Sequence, residues 1–156
     1  MSRWTESEVR EALLLAVAKD VGNGRRPDAS AYAGVSTDTR ELEDGSVFVA
    51  LRGENFDGHA FLRQAAESGA RAAIVDRIPD DAPPLRYYQV PDTLVALGRL
   101  GRYRRRKLAV PVCAVAGSNG KTTTKDMARA VLSTRFATHA TSGNLNNLVG
   151  APLTLL

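Results

Sequence analysis

Short apolar strands alternating with helical segments predict an α/β fold for this 156-residue chain. Three observations carry that expectation. Residues 47–51 (Val-Phe-Val-Ala-Leu) and the first four of 72–76 (Ala-Ala-Ile-Val-Asp) are apolar at successive positions, as parallel strands covered on both faces are. Between them lie a glycine-punctuated loop and a helical pattern over 60–68 that Gly69 closes, which together read as a βαβ crossover. Near the end of the chain, the apolar run 110–116 breaks into Gly117-Ser118-Asn119-Gly120-Lys121-Thr122-Thr123 and a further helical pattern, the order of strand, phosphate-binding loop and helix.

The remaining elements follow from local signals. Thr5-Glu6-Ser7-Glu8 has capping-box spacing, and Val9, Leu13, Ala16 and Val17 continue at helical intervals until Gly22 and Gly24, so a first helix is expected there. Residues 34–40 read as a short strand running into a polar turn, and 87–90 as another strand. Asp92 or Thr93 caps a long helix. Beyond it, a helix over 121–133, a strand over 137–140, a polar loop over 141–147 and a helical pattern over 148–156 are expected. The change of unit falls between 1–108, a compact α/β module, and 109–156, the beginning of a second. Because the last residues fall inside an apparent helix, the sequence is expected to be the first part of a longer protein.

Composition narrows the classes of function. With 44% hydrophobic residues the chain can bury a core, while no apolar run approaches the roughly 20 residues that span a bilayer. The start, Met1-Ser2-Arg3-Trp4-Thr5-Glu6, lacks the basic and apolar stretches of a signal peptide, so a cytoplasmic protein is expected. Cys113, the single cysteine, reads as a small buried hydrophobe in the strand feeding the loop, which excludes disulfide and metal-thiolate chemistry. The net charge of +4 is concentrated at Arg99, Arg102, Arg104, Arg105, Arg106 and Lys107, interleaved with Leu97, Leu100, Tyr103 and Leu108. That is the solvated face and basic end of an amphipathic helix rather than a nucleic-acid surface.

The loop 117–123 makes ATP the first ligand to consider. Gly117 and Gly120 let the backbone turn tightly and bring the N–H groups of Ser118, Asn119 and Gly120 to a polyphosphate at a helix N-terminus. Lys121 reaches the β- and γ-phosphates in such a loop, and the Thr122 hydroxyl holds Mg²⁺. The longer pattern with a glycine at position 115 is not met, because Val115 stands there. Lys125 reads as a first-turn surface residue and His139 as a lone histidine in a strand.

Four segments together resemble one family. They are Ser36-Thr37-Asp38-Thr39-Arg40; Asp44 through His59, which contains Asn55-Phe56-Asp57-Gly58-His59; the loop 117–125; and Thr141-Ser142-Gly143-Asn144-Leu145-Asn146-Asn147 followed by 150–156. In order and spacing they are similar to the Mur ligases of peptidoglycan synthesis, and the segments 53–59 and 143–147 favour the branch that adds D-alanyl-D-alanine over the one that adds the third amino acid. The resemblance implies an N-terminal domain for the UDP end of the substrate followed by the start of a P-loop ATPase domain. It implies an ATP- and Mg²⁺-dependent ligase, monomeric at full length, acting on UDP-N-acetylmuramoyl-tripeptide and D-alanyl-D-alanine, with Lys121 catalytic. It assigns Ser36, Thr37, Asp38, Thr39, Arg40, Asn55, Phe56, Asp57, Gly58, His59, Asn144 and Asn146 to the UDP substrate. From the residues alone, 36–40 also read as a local Asx-type turn, His59 as a helix-start histidine and 144–147 as a helix-leading loop. A non-catalytic UDP-sugar-nucleotide binding module is the alternative of a different class.

Overall fold

The computed structural model describes residues 3–14, 19–20, 31–53, 56–141 and 147–156 of the protein. Its first helix starts as the sequence dictates. Thr5 Oγ1 accepts the Glu8 N–H at 3.2 Å and the Glu8 carboxylate accepts the Thr5 N–H at 2.9 Å, the reciprocal capping box that opens α1 (Glu6–Leu13). The helix is shorter than its apolar periodicity suggests, because Leu14 turns left-handed at φ 59° and ends it. Ala16 and Val17 lie outside the described residues.

Among the described residues, five strands form one sheet, in the order 19–20, 86–89, 72–75, 47–49 and 35–36. The strands β2 (Val35–Ser36), β3 (Val47–Val49), β4 (Ala72–Val75) and β5 (Arg86–Gln89) are parallel, and β1 (Lys19–Asp20) lies antiparallel along β5 at the edge. Val47 pairs with Ala72, and Ala72 with Arg86, so the register runs straight across the centre. Because side chains alternate along a strand, Val47, Val49, Ala72, Ile74 and Tyr88 enter one core with Trp4, Val9 and Leu13, while Phe48, Ala73, Val75 and Tyr87 enter another with Leu62 and Ala65. Both faces are thus covered, which is why the strands read as unbroken apolar runs. A single 3₁₀ turn (Gly58–Phe61) leads into α2 (Leu62–Glu67), and Gly69 at φ 93° closes it.

The long helix α3 (Thr93–Lys107) is capped by Asp92, whose carboxylate accepts the Leu94 and Val95 N–H groups at 2.8 and 2.9 Å. Its basic face is exposed at Arg99, Arg102, Arg106 and Lys107, as the amphipathic pattern predicts, with a departure at Arg104. Arg104 is buried, with its guanidinium carbon 4.2 Å from the centroid of the buried Trp4 ring.

Beyond α3 two expected strands are not formed. Residues 110–116 have no regular structure, and Val110, Val112 and Cys113 are exposed, so Cys113 is not the buried hydrophobe its neighbours suggested. Residues 137–140, including His139, likewise form no strand. A strand exists through its ladder, and among the described residues neither run has a neighbouring strand to pair with. Helix α4 (Lys121–Ser133) forms as expected but buries none of its residues. In α5 (Gly150–Leu155) the chain turns back onto α3, and Val149, Leu153 and Leu156 pack against the core that holds Trp4.

Candidate functional site

Parallel strands place their C-terminal ends together, and that edge carries most of the polar residues singled out above. Residues 37–40 follow β2, Leu51 and Arg52 follow β3, and Asp76 and Arg77 follow β4. Beside β2, Ser36 Oγ accepts the Asp38 N–H at 3.1 Å and donates to the Asp38 carbonyl at 2.9 Å. The Asp38 carboxylate accepts the Arg40 backbone N–H at 2.9 Å and its guanidinium at 2.5 Å. Those two Arg40 contacts, side chain first, hold the Asp38 carboxyl down at about 2. The turn therefore has the local Asx-type geometry, with Arg40 on the surface.

Beside β3 the chain doubles back. Arg52 bridges to Asp57, Gly53 donates to the Phe56 carbonyl at 2.8 Å, and Gly58 donates to the Leu51 carbonyl at 2.8 Å. Gly58 is required sterically, since a Cβ there would lie 2.7 Å from the Leu51 carbonyl oxygen. Phe56, half exposed, stacks on Phe61 with ring centroids 5.4 Å apart. His59 stands at the start of the 3₁₀ turn. Its side chain is 4% exposed, and Nδ1 stands 2.7 Å from Asp57 Oδ1. Burial pushes the Asp57 carboxyl up, but the His59 N–H, the Arg77 guanidinium and the His59 ring outweigh it and hold the group well below the usual carboxylate range.

The second polar region is the loop before α4. Gly117 has φ 153° and Gly120, the residue capping α4, has φ 74°, a left-handed conformation that favours glycine. The loop residues 117–120 are exposed, with Thr122 and Thr123 in the first helical turn. Lys121 Nζ donates to the carbonyls of Gly117 and Ser118 at 2.6 and 3.0 Å, so its ammonium lies over the loop itself. Lys125 is less of a surface residue than its position suggested, since Nζ donates to the Thr141 carbonyl at 2.8 Å. Asn147 Oδ1 accepts the N–H groups of Val149 and Gly150 at 3.1 and 2.7 Å and so starts α5. Asn55, Asn144 and Asn146 lie outside the described residues.

Two family models match this arrangement: the Mur ligase family catalytic domain over residues 31–105 and the Mur ligase middle domain over 115–156. The UDP-N-acetylmuramoyl-tripeptide–D-alanyl-D-alanine ligase of Bacillus subtilis (strain 168) is 49% identical over 124 residues, which are 79% of this chain and 27% of that protein. The chain belongs to the Mur ligase family. A crystal structure of MurF from Acinetobacter baumannii matches this Mur ligase chain with a TM-score of 0.84 and 37% identity, over 99% of it and 33% of the MurF chain. MurF ligase from Thermotoga maritima, solved in complex with ADP, matches with a TM-score of 0.68 and 34% identity, over 78% and 28% of the two chains. The present Mur ligase chain thus spans between a quarter and a third of the length of these relatives.

Within this Mur ligase fold, reading the sequence missed Arg52, Asp76 and Arg77, which the sheet brings against Asp57 and His59. A signal for them existed. A charged residue directly after a buried parallel strand falls on the edge where α/β sheets place ligands, and Asp76 follows Val75. Among the described residues no helix is long and apolar enough to cross a membrane.

Proposed function

We propose that this chain is the N-terminal part of an ATP-dependent ligase that joins D-alanyl-D-alanine to UDP-N-acetylmuramoyl-tripeptide. The observation that carries the reading is a glycine-turned loop, Gly117 to Gly120, opening α4 at Lys121, in a chain 49% identical over 124 residues to a ligase of that name. The ADP in the Thermotoga maritima complex supports ATP as the nucleotide. Residues 1–108 are the UDP-substrate domain and 109–156 the beginning of the ATP-binding domain.

A carboxylate does not condense with an amine in water. ATP first transfers its γ-phosphoryl group to the carboxylate, giving an acyl phosphate and ADP, and the amine then displaces phosphate through a tetrahedral intermediate. Such a transfer depends on positioning and charge neutralisation. The N–H groups of Ser118, Asn119 and Gly120 cradle the phosphates, and Lys121 leaves the carbonyls it now contacts to bind the transferring group. Thr122, an oxygen donor beside Lys121 in the first turn of α4, would hold Mg²⁺, which neutralises phosphate charge. Thr123 completes the ATP contacts.

The UDP end docks at the sheet edge, where Ser36, Thr37, Asp38, Thr39 and Arg40 stand on one side. Phe56, Asp57, Gly58 and His59 form the other, with the exposed Phe56 ring against the uracil or sugar. Asn55, Asn144 and Asn146 join them on the strength of the sequence alone. The reaction uses soluble nucleotide substrates, which suits a cytoplasmic monomer.

The test is turnover by the protein that carries this chain, followed as ADP release in the presence of ATP, D-alanyl-D-alanine and UDP-N-acetylmuramoyl-tripeptide. Lys121→Ala is expected to lower kcat/KM by about a hundredfold or more, the size of effect seen when one donor to the transition state is removed. A change of only two- or threefold would remove Lys121 from the reaction.

A further inference from the structure

Asp76, Arg52 and Arg77 have no part in the proposed assignment, yet all three close around the turn 56–59. The His59 ring lies between two carboxylates, with Nδ1 2.7 Å from Asp57 Oδ1 and Nε2 3.1 Å from Asp76 Oδ1. Nε2 is buried and finds no well-aligned hydrogen bond, so Asp76 is the charge it faces. On the solvent side Arg77 contacts Asp57 at 2.7 Å and Asp76 at 3.5 Å, and Arg52 contacts the same two at 3.7 and 3.6 Å. One imidazole and two guanidiniums therefore each join a carboxylate on the turn to the carboxylate at the end of β4.

A lone exposed ion pair would hold a turn weakly, because solvent screens it and two long side chains must be ordered. Here three ties share the same two anchors, and one of them is buried, so they reinforce one another. The backbone adds two fixed points, Gly58 to Leu51 and Gly53 to Phe56. Asp76 directly follows β4 of the sheet, and Asp57 belongs to the turn. Phe56 is joined to Asp57 in the chain and its ring stacks on Phe61, so the place of the turn sets the place of the ring.

We propose that Asp76 is a positioning residue, which through His59, Arg52 and Arg77 fixes the turn 56–59 and with it the Phe56 ring in the orientation that receives the nucleotide end of the substrate. This rests on the reading that a UDP-linked substrate docks at this edge.

Two measurements on the protein that carries this chain separate the proposal from that reading. Amide hydrogen exchange without ligand reports on the turn, and calorimetry with UDP-N-acetylmuramoyl-tripeptide reports on docking. Asp76→Asn keeps the shape and removes the charge. It is expected to speed exchange at Gly58 and His59 at least tenfold and to weaken the UDP ligand at least fivefold, with the melting temperature lowered by only a few degrees. Arg77→Gln, at an exposed side chain, is expected to act in the same direction, and Arg77→Lys to recover most of the loss. Should Asp76→Asn fail to fold, the Arg77 pair carries the same test. Unaltered exchange, or unaltered affinity in a variant whose parent binds, overturns the positioning role. A wild-type chain that binds no UDP ligand overturns the docking reading, whatever the exchange shows.

Discussion

A Cβ on Gly101 of α3 would stand 2.9 Å from Pro152 Cα and 3.0 Å from Pro152 Cβ of α5, so glycine sets the distance at which these two helices cross. The contacted atoms are the backbone and ring of a proline, which cannot swing aside as a flexible side chain can. Through this contact the last helix sits on the same core as Trp4 and Leu100.

Gly98 and Gly101 of α3 should therefore respond in opposite directions to alanine. A Cβ at Gly98 meets nothing within 4 Å, so Gly98→Ala should gain about 0.5–1 kcal/mol from helix propensity. Gly101→Ala gains the same but adds overpacking of about 1–3 kcal/mol, and should lose up to about 2 kcal/mol net. Urea unfolding of the two variants checks this. Equal gains at both positions would mean that α5 does not rest on α3.

Arg104 and Arg106 lie two residues apart in a run that looks uniform. Arg104 is buried against Trp4, whereas Arg106 is exposed. Arg104→Ala is expected to cost about 2 kcal/mol through the lost cation–π contact and stem packing. Arg106→Ala should stay within about 0.5 kcal/mol of the parent. Similar losses in thermal unfolding would return Arg104 to the surface.

Asp38 should titrate at about 2 in the folded chain, against its ordinary value of 3.8, because Arg40 hydrogen-bonds its charged form. The folded value is depressed, so the contribution of the pair is complete above 3.8 and disappears as pH falls through 2. Carboxyl-detected NMR titration would show it, and Arg40→Gln should move the midpoint back up. A midpoint near 3.8 in the parent would mean that the turn is open in solution.

The 156-residue chain alone should bind ATP weakly. Residues 117–120 are exposed and α4 buries none of its side chains, so the loop can offer donors but little enclosing wall. Tight, Mg²⁺-dependent binding by calorimetry would contradict this.

Local signals were legible wherever the chain carries its own partner. The Thr5–Glu8 capping box, the Asp92 cap and the Gly69 terminus each satisfy backbone groups within a few residues, and each was found where its pattern stood. The central strands were readable because burial on both faces leaves a continuous apolar run. The same rule misled at 110–116, where apolar composition says nothing about whether a neighbouring strand is there to pair. At the site, Asp57 and His59 were visible in one glycine-rich loop. Asp76, which faces the His59 ring, is 17 positions beyond it and meets it only because β3 and β4 are adjacent and parallel.

The sequence by itself determined the α/β class, the two central strands, the helix starts and the glycine-turned loop before α4, since spacing and turn chemistry act over a few residues. Tertiary structure decided which charge is buried, which strand pattern becomes a strand and which residues close around His59. Those outcomes depend on contacts between segments distant in the chain, where burial and pairing, rather than local propensity, set the free energy.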